Sequence, residues 1–430
     1  MNINTVTVLG ANGAMGRNVS AIFASFGSAK VYMVCRDLIK AKKAAKQAFL
    51  SIRSESIRDN LIPVTYDDLE KCISESDLIF ESLSEDLKIK SEMYERIKAF
   101  LKKDAIVATG TSGLSIERLS EAFGEYSNRF FGIHMFNPPY NLTLCELVVH
   151  SEKQAELAED IRRYLSICLN RTVVEVKDRP SFLGNRIGFF FINEAIRLAK
   201  ENKDQGGIDY IDSIIGGFTG RNMAPLVTAD FVGLDVTKSI IDYIFENTSD
   251  EYREYFKAQD YFNELVSDGS LGKKVNRGFY YKDRDRNILF VYDVKQKLYR
   301  IVNSYQFYFS NEMIKNLKVG DYTKVISILI NDESHEAIIC KTMLLKYVLY
   351  SLKVSLEVSN DISACDDAMA TGFSWIPPIA LIDLLGGKEV LRKLTYIYLE
   401  EQYKKLVDTF YSEIPCHSKY DYRPFLKARY

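Results

Sequence analysis

The run FGIHMFNPPYNLTLCELVVH, residues 131–150, sets His134 three positions before Asn137 and twelve before Glu146. The 430-residue chain holds four histidines, at 134, 150, 335 and 417, so one placed between an apolar run and an Asn-Pro-Pro turn is a candidate for proton chemistry. Imidazole changes charge nearer neutrality than other side chains, and a carboxylate beside it fixes the tautomer and stabilises the protonated ring. His134 and Glu146 therefore have the residue types of a general base and its orienting acid. The competing reading is a satisfied core histidine and a salt-bridged strand residue.

A second run with chemistry in it opens the chain. VTVLGANGAMGRNVSAIFASFG reads as strand, glycine turn and helix. Gly10, Gly13 and Gly16, with Ala14 and Met15 between them, suit a backbone cradle that holds a pyrophosphate at a helix N-terminus. The GxxGxxG spacing is one residue longer at the front than the usual fingerprint, and a purely structural glycine turn is the alternative. About twenty residues on, where an acid normally bonds the adenosine ribose, stand Cys35 and Arg36. Arg36 suits a 2′-phosphate and so NADP; Asp37 turned inward would serve NAD; a solvated Arg36 would favour neither. The expected cofactor is NAD or NADP.

These residues need a scaffold, and the pattern supplies one. Apolar β-rich runs (TVTVLG, KVYMVC, DLIFES, DAIVATG, RFFGIH, CELVVH, TVVEV) alternate with helical stretches as far as Lys177. That alternation predicts a Rossmann-like, doubly wound α/β domain over residues 1–178. From IGFFFINEAIRLAK onward helical spacing dominates, predicting an all-α domain over 179–282. Residues 283–325 read as a connecting segment with a hairpin, NILFVYDVKQKLYRI. Residues 326–430 read as a second, degenerate copy of the helical domain. The duplication rests on five matches in order: Asp212 with Asp366, Phe218 with Phe373, Pro225 with Pro378, Asp230 with Asp383 and Gly233 with Gly386.

Composition narrows the partners. A formal net charge of -2, with no sustained basic stripe, gives no electrostatic case for nucleic acid and favours a small-molecule substrate. Seven cysteines without a CxxC pair suggest neither a disulfide framework nor a zinc site, so no metal is expected and a reducing cytoplasm fits. No eighteen-residue apolar run and no leader pattern are seen, so neither membrane insertion nor secretion is expected.

Seven stretches in order, VLGANGAMG, ESLSEDLKIK, TSGLSI, HMFNPP with Glu146 following, FLGNR, MAPLVTADFVGLD and GSLGKKVNRGFYY, resemble the 3-hydroxyacyl-CoA dehydrogenase family, in the form with two C-terminal domains. The resemblance implies reversible hydride transfer between a nicotinamide and an L-3-hydroxyacyl-CoA. It implies His134 as base, Glu146 as its partner, and Ser112 and Asn185 as groups that hold the reacting oxygen. Glu85, Lys90, Ser112, Asn137 and Lys274 match cofactor contacts. Ser51 and Arg58, with Lys42 and Arg53 nearby, match CoA contacts, although a solvated helix face accounts for the same charges. Gly110, Gly113 and Met135 depart from the family run, and the glycines are expected to loosen the loop or widen the pocket. The rival functions are a dehydrogenase of free 3-hydroxy acids or sugar acids, and a non-catalytic nucleotide sensor on the same fold. Such relatives pair through the helical domain, so a monomer or a homodimer is expected, with the second copy standing in for a dimer partner.

Overall fold

Strands rich in Val, Ile and Phe, buried on both faces, are the mark of a parallel sheet covered by helices. The computed structural model, which describes residues 1–52, 54–249 and 251–429, contains such a sheet of eight strands. They are β1 Thr5–Leu9, β2 Lys30–Cys35, β3 Leu61–Thr65, β4 Leu78–Glu81, β5 Ile106–Thr109, β6 Phe130–Met135, β7 Leu144–Val149 and β8 Thr172–Lys177. Their order is β3-β2-β1-β4-β5-β6-β7-β8, parallel throughout except for the antiparallel pair β6 and β7. The chain winds outward from β1 to β3 and then returns to place β4 on the other side of β1. Beyond the carboxyl ends of β1 and β4 lies the switch point at which open α/β sheets take their ligands.

One strand escapes the sequence pattern. LIPVT carries Pro63, which cannot donate to a ladder and argues against a strand, yet β3 is the sheet edge, where a missing donor costs little.

The chain divides into two compact units, Met1–Phe182 and Leu183–Tyr430. In the second, the helices Gly184–Glu201 and His335–Val358 pack antiparallel. Arg186 pairs with Glu357 at 2.6 Å, Phe190 stacks on Tyr350 with centroids 3.9 Å apart, and Glu194 pairs with Lys346 at 2.9 Å. Gly188 admits the ring of Phe373, to which a Cβ would approach within 2.2 Å.

Two of the matched aspartates do the same work. Asp212 accepts N–H bonds from Leu226 (2.9 Å) and Val227 (3.2 Å) at the start of the helix Pro225–Val232. Asp366 accepts one from Ile379 (2.7 Å) at the start of Pro378–Leu385. Phe218 and Phe373 differ, the first packing on Phe309 and the second beside Phe189 and Trp375.

The connecting segment holds more than a hairpin. Strands β10 (Ile288–Asp293) and β11 (Leu298–Ile301) form it, and β9 (Tyr280–Asp283) adds a third antiparallel strand from the end of the segment expected as the first helical domain. The helix Tyr308–Lys318 follows, and the expected boundary at 326 falls inside the helix Tyr322–Asn331.

Candidate active site

At the end of β1 the backbone of Gly10 turns to φ +78°, and a Cβ there would sit 2.4 Å from the carbonyl oxygen of Ser82 beyond β4. Only glycine lets the two strand ends approach this closely. A Cβ on Gly16 would come within 2.5 Å of the Gly10 carbonyl, so the helix Ala14–Ser25 is seated directly on the turn. Gly13 caps that helix without a side chain. Ala14 is exposed, and Met15 packs in part against the sheet core. The cradle thus offers first-turn N–H groups with no side chain in front of them, which fits a dinucleotide pyrophosphate.

Past β2, Cys35 is buried and Arg36 is exposed. Asp37 is committed elsewhere. Its Oδ1 accepts the Lys40 backbone N–H at 2.7 Å and its Oδ2 pairs with Lys40 Nζ at 3.2 Å, so it caps the helix Leu38–Ile52. The Lys40 N–H holds its carboxyl below the usual carboxylate range.

The antiparallel register of β6 and β7 sets His134 directly opposite Glu146. Residues facing each other across a pair of strands share one side of the sheet, and here the His134 Nδ1 lies 2.6 Å from Glu146 Oε2. Glu146 has no solvent exposure and His134 only 7%. Phe136 and Phe182 stand against the imidazole, with centroids 4.7 and 5.8 Å away. In such surroundings a charge-assisted bond is strong and an ionised carboxylate without a partner is costly. The Nε2 has no hydrogen-bond partner among the described residues. Asn137 accepts the amide of Asn18 at 2.8 Å, which ties the turn after β6 to the nucleotide helix.

A third group was not anticipated from sequence. Glu81, the last residue of β4, is fully buried and accepts from Lys90 Nζ (2.8 and 3.0 Å), Tyr94 Oη (2.6 Å), Thr109 Oγ1 (2.7 Å) and the Leu83 N–H. Lys90 is 1% exposed and also lies 3.4 Å from Glu85. Glu85 accepts the Ser112 N–H at 2.9 Å and the Thr111 hydroxyl, so the chain leading out of β5 hangs from it. One signal was available: a lone acid inside the apolar run DLIFES, nine residues before a lysine.

The glycine at 110 does not widen the pocket. A Cβ there would lie 2.9 Å from the Phe80 ring, which fills the space.

Other sequence candidates fall elsewhere. In the second unit Asn185 is buried in the first turn of Gly184–Glu201, and Lys274 pairs with Asp235 at 2.6 Å. In the first, Ser51 bonds its own helix at Gln47 O (2.9 Å), while Arg58 pairs with Glu55 (3.1 Å) over the Phe49 ring. Lys42 is exposed, and Arg53 lies outside the described residues. No cluster able to hold a metal ion is found among the described residues, and no single helix there is long and apolar enough to cross a membrane.

Comparison with known proteins decides the family. Residues 5–179 match the family model for the 3-hydroxyacyl-CoA dehydrogenase NAD binding domain, and residues 182–282 that for the C-terminal domain. The mitochondrial hydroxyacyl-coenzyme A dehydrogenase of Sus scrofa is 32% identical over 297 residues, covering 65% of this chain and 91% of its own. The chain belongs to the 3-hydroxyacyl-CoA dehydrogenase family.

Within the family it is also 26% identical to a probable 3-hydroxyacyl-CoA dehydrogenase of Bacillus subtilis, over 86% of this chain and 47% of that protein. The chain thus spans about half the length of the first curated relatives it matches. The crystal structure of 3-hydroxybutyryl-CoA dehydrogenase from Escherichia coli superposes with a TM-score of 0.72 at 19% identity, covering 96% of this chain and 99% of that one. That likeness of fold extends through the second helical segment.

Proposed function

We propose that the chain catalyses the reversible oxidation of an L-3-hydroxyacyl-CoA to the 3-oxoacyl-CoA, with NADP preferred over NAD. The observation that carries the reading is the buried His134–Glu146 pair at 2.6 Å, whose Nδ1 is held by the carboxylate while Nε2 is left for a substrate proton. A bound nicotinamide would supply or accept the hydride at C3. His134 Nε2 takes the C3 hydroxyl proton in oxidation and returns it in reduction. Glu146 holds the ring in the tautomer that accepts at Nε2 and stabilises the imidazolium. Ser112 and Asn185 donate to the C3 oxygen as it becomes a carbonyl. Asn137, Glu85, Lys90 and Lys274 orient the cofactor, and Ser51 and Arg58 bind the CoA phosphates.

Support for NADP comes from Asp37, whose carboxylate is spent on a helix cap, and from Arg36, which is exposed beside it. The test is acetoacetyl-CoA reduction with NADH and with NADPH, in wild type, His134→Ala and Arg36→Asp. Turnover lost in His134→Ala is expected, as is an NADPH preference reduced at least about tenfold in Arg36→Asp, a charged hydrogen bond being worth roughly 1.5–3 kcal/mol. Full turnover without His134 would sink the mechanism. An unchanged cofactor ratio in Arg36→Asp would sink the NADP assignment alone.

A further inference from the structure

The second unit holds a cavity of about 710 Å³ that no step of the proposed reaction uses. Met223, Ala224, Val227, Phe231, Leu289 and Val302 supply its apolar lining. Apolar side chains on a wall are ordinary when something covers them; here Phe231 is 49% and Leu289 43% exposed. The matched family domain ends at residue 282, so Leu289, Val302 and Arg429 bring walls that the family domain alone does not contain.

The charges around the cavity are of two kinds. The three aspartates that border it are occupied by the fold. Asp209 is held by Arg300 (2.6 and 2.8 Å) and the Asn303 N–H (2.9 Å). Asp212 accepts two helix N–H groups and the Tyr280 hydroxyl (2.8 Å), and Asp230 accepts the N–H groups of Phe279 (2.8 Å) and Tyr280 (2.7 Å). Burial pushes both Asp212 and Asp230 up to about 7, so neither presents a firm negative charge at neutral pH.

The three cations are different. Lys273, Lys282 and Arg429 are exposed, and none has a carboxylate partner among the described residues. Lys273 lies over the Phe231 ring at 4.7 Å. Arg429 is fixed at the rim, its Nη2 donating to the Asn222 carbonyl (3.1 Å) and its own carbonyl accepting the Phe218 N–H (3.1 Å). Apolar walls under unpaired cations select a ligand with an apolar tail and an anionic head, and the volume is within the roughly 300–1,000 Å³ of small-molecule sites.

We infer that this cavity, lined wholly by residues of the second unit, is a further ligand site for an anionic amphiphile such as an aliphatic carboxylate or alkyl phosphate. Its apolar tail lies between Phe231 and Leu289, and its head meets Lys273, Lys282 and Arg429. The inference is independent of the proposed reaction.

Titration calorimetry on the full chain tests it, with decanoate, decyl phosphate and decanoyl-CoA, each with and without saturating acetoacetyl-CoA. One equivalent of decanoate or decyl phosphate is expected to bind in the presence of acetoacetyl-CoA, and the better of the two identifies the head group. Decanoyl-CoA binding a second equivalent under the same conditions would identify a thioester as the occupant of the same site. Lys282→Glu with Arg429→Glu should weaken binding at least about tenfold while acetoacetyl-CoA turnover stays at the wild-type rate. Val302→Asp should abolish binding through the wall instead of the rim. The site does not exist if no probe binds, if acetoacetyl-CoA displaces every probe, or if both variants bind like wild type.

Discussion

Two buried carboxylates on the same sheet are each paired with a basic side chain, and the two pairs differ in what surrounds them. Glu81 on β4 meets Lys90, two hydroxyls and a backbone N–H, with both charged partners almost wholly out of solvent. Glu146 on β7 meets His134, whose far nitrogen is left without a partner among the described residues. Lys90 is enclosed, with the carboxylates of Glu81 and Glu85 around it, and its pair with Glu81 ties the end of β4 to the residues that follow. Histidine is the side chain suited to proton transfer, and in the reaction we propose the same burial serves a base. The difference lies in the basic partner and in what its far side is free to do.

The sharpest way to break this contrast is at the base. His134→Ala should lower kcat for acetoacetyl-CoA about 10²- to 10⁴-fold, with the melting temperature close to wild type. Glu146→Gln should lose about 10²-fold or more in steady-state assays, because an amide positions the ring but no longer balances its charge. At the other pair the losses should appear in stability. Glu81→Gln strands Lys90 in the interior and should cost about 3–5 kcal/mol in urea unfolding, and Glu81→Gln with Lys90→Met should recover much of that. A Glu81 variant with normal stability and 10³-fold lower turnover would collapse the contrast.

The smallest effect belongs to the buried aspartates of the second unit. Burial raises Asp212, Asp230 and Asp366 to about 7, well above the ordinary carboxylate range. Between about pH 4 and 7 the folded chain keeps protons that the unfolded chain releases, so these groups make stability fall as pH rises through that window. Calorimetric melting temperatures at pH 5, 6 and 7 should decline less steeply in Asp212→Asn than in wild type.

The pairing of His134 with Glu146 is legible in the sequence because its geometry is nearly local. Glu146 lies twelve positions after His134, and the turn 136–143 between two short strands brings them face to face. The glycine cradle was equally legible, since β1, turn and helix are contiguous. What pattern could not provide were residues whose role depends on distant neighbours. Glu81 reads as a strand end until Tyr94 and Thr109 are seen around it. Gly110 reads as slack until the Phe80 ring is found in the space. β3 was hidden by Pro63, and β9 by its attachment to a helical motif, FYY, whose partner strand begins five residues after β9 ends.

The register between β6 and β7 carries a consequence for how the protein can vary. Sliding one strand by a single residue would set Cys145 or Leu147 against His134 and turn Glu146 to the other side of the sheet. Insertions in the 136–143 turn are therefore constrained by parity: a change that shifts the pairing by one residue parts His134 from Glu146 even if the chain still folds. The turn length is, in effect, a checksum on assembly, and measuring turnover reports whether two strands were laid down in step.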